Sequence, residues 1–135
     1  MMIGGNDPET DTLYWSTGNP YPDFDDGDRP GDNLYTDSIL ALNPDTGQIK
    51  WFYQVTPHDV HDWDATEPLV LVDAEINGQR RKLLLHADKN GFFYVLDRLT
   101  GKLVFAKPFV KENWEEIARL RSFEMACRGR SLTCL

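Results

Sequence analysis

The chain has 135 residues, enough for one domain with a buried core, and a hydrophobic fraction of 41% excludes disorder as the starting assumption. Its net charge of −8, from 14 basic and 22 acidic residues, excludes a phosphate-backbone binder, which needs a basic face. No stretch is apolar enough to span a membrane, and Cys127 and Cys134 form neither a metal spacing nor a disulfide framework.

Met1 to Asp7 lacks the basic-then-apolar pattern of a secretory signal. Leu13–Thr17 is rich in strand formers and lies between two turn signals, Asp7-Pro8-Glu9 and Gly18-Asn19-Pro20. A long loop from Pro20 to Asn33 follows. It holds Asp23, Asp25, Asp26, Asp28 and Asp32, a run that suits a solvated loop. A calcium loop of the EF-hand type fails, because its twelfth position is Leu34 and not a bidentate Glu.

Leu34–Leu42 is expected to be a strand. Asn43-Pro44-Asp45-Thr46-Gly47 turns the chain, with Pro presetting φ and Gly supplying positive φ, and Gln48–Val55 returns it. Lys82–His86, Gly91–Asp97 and Lys102–Ala106 are further strands, the last two joined by a turn over Arg98–Gly101. The two hairpins superpose in sequence: Leu42 falls on Leu96, Asn43 on Asp97, Thr46 on Thr100, Gly47 on Gly101 and Trp51 on Phe105. A repeat of a few strands at this period, with an aromatic after each turn, marks propeller blades. Two unrelated hairpins with good turn chemistry are the alternative. Lys111–Arg121 reads as a helix, with Trp114, Ile117, Ala118 and Met125 roughly on one face, and Cys127–Leu135 as a frayed tail.

Three places hold chemistry. Asn19 follows a strand and offers a side-chain carbonyl to a hard cation, or else stabilises a turn before Pro20. The segment Thr56–Thr66 holds His58, His61, Asp59, Asp62 and Asp64. It suits a transition-metal site on the two histidines, a general base beside Trp63, or a polar loop of caps and turns. Lys89 precedes Asn90-Gly91, a hairpin signal, and is by default an exposed charge at a sheet end.

In order and spacing, five stretches resemble the dehydrogenases that oxidise methanol and other alcohols with pyrroloquinoline quinone (PQQ). These are Tyr14–Pro20, Arg29–Thr36, Thr56-Pro57-His58-Asp59 leading into Trp63-Asp64, Arg81–Leu84 leading into Lys89-Asn90-Gly91, and Tyr94–Arg98. The resemblance covers roughly residues 4 to 111. It implies an all-β fold of antiparallel four-stranded blades, here about two blades of an eight-bladed propeller, with residues 112–135 a divergent tail.

It further implies PQQ and calcium as cofactors. Asn19 would be a calcium ligand and Asp64 the general base that takes the alcohol proton. Lys89 would bond the quinone oxygens and stabilise charge on the reduced cofactor. Lanthanide-using relatives carry an extra Asp two residues after the base; Thr66 stands there, which favours calcium. An alcohol substrate, an electron acceptor such as a cytochrome c and a periplasmic location come with the resemblance. The Trp that stacks under PQQ would fall near Met1, and the acidic calcium ligand belongs to earlier blades. The chain therefore reads as a fragment, poorly active or inactive alone, whose missing blades would come from another chain. A non-catalytic PQQ-repeat module serving as an interaction scaffold is the alternative, and it has no need of Asn19, Asp64 and Lys89 together.

Overall fold

The structure, a computed structural model, describes residues 4–111; beyond its first residue, the expected C-terminal helix lies outside that range, as does Met1. Eight strands follow in chain order: β1 Gly5–Asp7, β2 Thr12–Ser16, β3 Ser38–Leu42, β4 Ile49–Gln54, β5 Val70–Ile76, β6 Gln79–Ala87, β7 Phe92–Asp97 and β8 Leu103–Pro108. They make two four-stranded antiparallel sheets, β1-β2-β3-β4 and β5-β6-β7-β8, each strand paired with its sequence neighbour. This is the all-β, two-blade architecture expected from the repeat.

The repeat holds in detail. Asn43 Oδ1 accepts the amides of Asp45 and Thr46, and Asp97 Oδ1 those of Leu99 and Thr100. The amides of Gly47 and Gly101 close each turn on the carbonyls of Asn43 and Asp97 at 2.9 and 2.8 Å. Both glycines have positive φ, +71° and +69°. The register shifts at the same place in both hairpins, between Ala41 and Leu42 and between Val95 and Leu96.

Two expectations need correction. The strand predicted from Leu34 begins at Ser38. Leu34–Asp37 is instead held in a turn, where the Thr36 amide donates to the Asn33 carbonyl and Asp37 has a φ of +46°. The two-residue Asn-Gly hairpin is Asn77-Gly78, which joins β5 to β6 with φ of +53° and +76°. Asn90-Gly91 is a wider turn built round a fully buried Asn90, whose Nδ2 donates to Thr56 Oγ1 and Tyr94 Oη at 3.0 and 2.9 Å. Strands β1 and β5 gave no sequence signal that was read. Gly5-Asn6-Asp7 lacks strand formers and forms a strand only because β2 offers it an edge.

Alternation places Tyr14, Ile39 and Ala41 of the first sheet against Leu84, Tyr94 and Leu96 of the second, in one core with Val55, Ala65 and Phe92. The sheets are also fastened by one residue, Arg98. Its guanidinium donates to Asp7 Oδ2 on β1 at 2.8 Å, and to Asp73 Oδ1 and the Val72 carbonyl on β5 at 2.6 and 2.9 Å. Its carbonyl accepts Tyr14 Oη at 2.8 Å and Trp51 Nε1 at 3.1 Å. Trp51 lies flat beneath Gly101, where a Cβ would stand 2.6 Å from the ring. Burial pushes the Asp7 carboxyl up, but the hydrogen bond and charge of Arg98 outweigh it and hold Asp7 below the usual range.

Removing one partner of a buried ion pair strands the other. Arg98→Ala is therefore expected to cost about 3 kcal/mol in urea denaturation, whereas Lys107→Ala, on the exposed end of β8, stays within about 0.5 kcal/mol.

Candidate functional site

The loop that carries Asp64 is organised by Asp59. This carboxylate is buried, and its two oxygens accept the amides of His61 and Trp63 at 2.8 and 2.7 Å. Such local side-chain bonds set a turn where no strand pairing is available. Arg29 ties this loop to the acidic one. It donates to the Asp59 carbonyl at 2.7 Å, to Asn33 Oδ1 at 2.6 Å and to the carbonyls of Pro22, Asp23 and Asp25.

His58 adds a second tie, with Nδ1 2.6 Å from the Gly31 oxygen and Nε2 2.9 Å from Asp26 Oδ2. The Asp26 bond raises His58 above its ordinary value, and the same bond lowers Asp26. His61 instead stacks on Trp63. The structure does not gather His58 and His61 into one metal-holding group. The reading of this segment as a loop held by caps and turns accounts for Asp59 and His58.

His58, Asp62 and Asp64 all have positive φ, +52°, +61° and +53°. Left-handed backbone at non-glycine residues is costly and tends to collect at functional loops. The Asp64 side chain meets the residues that follow β2. Asp64 Oδ1 accepts the Asn19 amide at 3.1 Å, and Asp64 Oδ2 lies 3.7 Å from Lys89 Nζ. Lys89 also donates to the Asp62 carbonyl and lies 3.5 Å from Asp62 Oδ2. It is half exposed, yet its charge faces the Asp64 carboxylate and is not free in solvent. Asn19, Asp64 and Lys89 come from three separate segments and meet at one point.

The local chemistry suits a hard cation. Asn19 Nδ2 donates to Asp23 Oδ1 at 2.9 Å and to the Pro20 carbonyl at 3.1 Å. Both amide hydrogens are thereby used, and Oδ1 remains as the free coordinating atom among the described residues. Gly18 leaves room for this arrangement, since a Cβ there would fall 2.7 Å from Asp64 Oδ1. The Thr66 methyl stands 3.9 Å from the same point.

Residues 3–112 match the family model of the glucose/ethanol/alcohol dehydrogenase β-propeller domain, designated PQQ. A quinohemoprotein alcohol dehydrogenase of Comamonas testosteroni is 52% identical over 110 residues, which are 80% of this chain and 16% of that protein. A lanthanide-dependent methanol dehydrogenase of Methylorubrum extorquens is 47% identical over 103 residues, 76% of this chain and 17% of the relative. The crystal structure of the Comamonas enzyme superposes with a TM-score of 0.79 at 50% identity, over 83% of this chain and 17% of that one. The chain thus spans about a sixth of the length of the relatives it matches.

Sequence reasoning passed over the buried acids around this point. Asp37 is fully buried, and neither carboxyl oxygen has a hydrogen-bond partner. Burial, and then the charges of Asp59, Asp88 and Asp64, push it up to about 8. Glu67, His86 and Asp88 form a second group, with both carboxyls raised chiefly by burial. The signal available was the density of Asp around short apolar strands, which does not say which carboxylates face inward.

Asp37 yields a pH prediction. Its folded value near 8 exceeds the ordinary 3.8, so between those limits the native state holds a proton that the unfolded chain has released. Its contribution therefore falls as pH rises through that window and levels off above it. Asp37→Asn is expected to gain at least about 1 kcal/mol on the parent between pH 5 and pH 8 in urea titrations. A gap that does not change with pH counts against the buried neutral carboxyl.

Proposed function

The chain belongs to the glucose/ethanol/alcohol dehydrogenase β-propeller family of PQQ-dependent enzymes, and on that premise we propose that it supplies two blades and part of the active site of an alcohol-oxidising quinoprotein. The observation that carries the proposal is the meeting of Asn19, Asp64 and Lys89 about a single carboxylate. A non-catalytic scaffold of the same repeat has no use for that arrangement.

Asn19 would offer Oδ1 to calcium, because its amide hydrogens are held by Asp23 and the Pro20 carbonyl. Asp64 acts as the general base that takes the hydroxyl proton of a primary alcohol. The Asn19 amide fixes one of its oxygens, which leaves the second, beside Lys89, to meet the substrate. Lys89 places a positive charge at the same point, where it stabilises negative charge that develops on the acceptor during reaction. The chemistry that PQQ supplies when bound is hydride acceptance, with calcium polarising the quinone carbonyl.

Thr66 supports calcium over a lanthanide. A methyl group stands beside Gly18, where a further carboxylate would raise the charge of the site. A cytochrome c as electron acceptor and a periplasmic location are proposed with the family reading. Calcium needs six to eight oxygens, and Asn19 supplies one. Full activity therefore requires the remaining blades, within one polypeptide or from a partner.

Two measurements test this reading. Titration of the chain with PQQ and calcium, followed by quinone absorbance and Trp fluorescence, is expected to show calcium-dependent binding that Asn19→Ala abolishes, without dye reduction. In a chimera carrying residues 4–111 in the Comamonas enzyme, Asp64→Asn is expected to lower alcohol-dependent dye reduction by about 10²-fold or more. An Asp64→Asn chimera as active as its parent would remove Asp64 from the role of base.

A further inference from the structure

The group Glu67, His86 and Asp88 takes no part in the chemistry above. His86 lies near the end of β6 and Asp88 just after it, both 1% exposed, while Glu67 sits in the segment between Asp64 and β5. His86 Nε2 is 2.9 Å from Asp88 Oδ2 and 3.9 Å from Glu67 Oε2. One ligand atom from each residue lies within 4.8 Å of the other two. Tetrahedral zinc with bonds of about 2.0–2.1 Å sets its ligand atoms roughly 3.3 Å apart, a spacing that the two measured distances bracket.

Two independent observations ask for a cation here. Glu67 Oε2 is buried and has no hydrogen-bond partner. Among the described residues no Lys or Arg pairs with Glu67 or Asp88, and His86 is the one basic group beside them. Buried carboxylates are normally paired or bound to metal. Asp88 is already set like a ligand held from behind, because its Oδ1 accepts the Asn90 amide at 2.9 Å and leaves Oδ2 to face His86.

We propose that Glu67, His86 and Asp88 bind one divalent transition-metal ion of the zinc class, with a fourth position open to water on the Glu67 side. One imidazole and two carboxylates suit such an ion. The Glu67 side chain, 31% exposed, marks the way in, while the other two ligands are shut off from solvent. The ion joins β6 to the segment that begins at Asp64, three residues before Glu67, and so holds that segment against the second sheet. This inference does not depend on PQQ or calcium.

The test uses the 135-residue chain with Zn²⁺ in competition with a chromophoric chelator, and with Co²⁺ followed by its visible d–d bands. The expected result is one equivalent bound, with the strong bands of a four-coordinate ion. Glu67→Gln and His86→Gln are each expected to weaken binding at least about ten-fold, and His58→Ala and His61→Ala to leave it unchanged. Absence of binding, affinity retained in Glu67→Gln, or affinity lost in His58→Ala or His61→Ala each overturns the assignment. Should His86→Gln fail to fold, Glu67→Gln decides, since its partly exposed side chain can be exchanged without opening the core. Failure here leaves the PQQ reading standing, because that reading is tested through Asn19 and Asp64.

Discussion

Everything in this structure hangs on how a buried guanidinium is satisfied. Arg98 directly follows β7 of one sheet and bonds to strands of both, and taking its charge out of water is costly unless it is paired and hydrogen-bonded. Asp7, Asp73 and the Val72 carbonyl accept from its Nε and Nη1, and its own carbonyl takes Tyr14 and Trp51. Hydrophobic contact between the sheets is non-directional and tolerates sliding. The Arg98 bonds have fixed lengths and directions, so they fix the register of one blade against the next. Asn90 does a similar service at the other end of the core, where it joins the β6–β7 turn to Thr56.

That fixed register is what brings the candidate site together. Asn19 lies in the loop that follows β2 of the first sheet and Lys89 in the β6–β7 turn of the second, so their separation depends on the blades' relative placement. Asp64 sits between them on the connecting loop. The loop lacks strand pairing and contains left-handed residues that would not hold themselves. Asp59 and Arg29 hold it by bonding its backbone from within and from the acidic loop. The acidic loop is thus more than a solvated run: Asp23 orients Asn19, and Asp26 grips His58.

The concentration of acid has a consequence for the interior. Asp37 is buried, and the charges of Asp59, Asp88 and Asp64 raise its cost of ionisation further; Asp59 does the same to buried Asp88. Asp59 answers with two amide donors and Asp88 with His86. Asp37 has no such answer, and it keeps a proton instead. A site that tolerates this much negative potential is suited to attract cations.

The strand-and-turn grammar was legible in the sequence because it is local. Asn43 and Asp97 cap their own turns, Gly47 and Gly101 supply the positive φ, and the repeat shows through unaided. The ordered motifs likewise led to Asn19, Asp64 and Lys89. Partnership was not legible. β1 becomes a strand only beside β2, and Asn90 points inward because Tyr94 and Thr56 wait there. The same composition of Asp and His could have been a solvated loop, a histidine metal site or a buried cluster. The sequence by itself determined which residues could turn, pair and carry charge, since those properties belong to each residue and its neighbours. Only the tertiary structure decided which charges meet and which are buried, since burial and contact between residues as distant as Asp7 and Arg98 exist only once the sheets have packed.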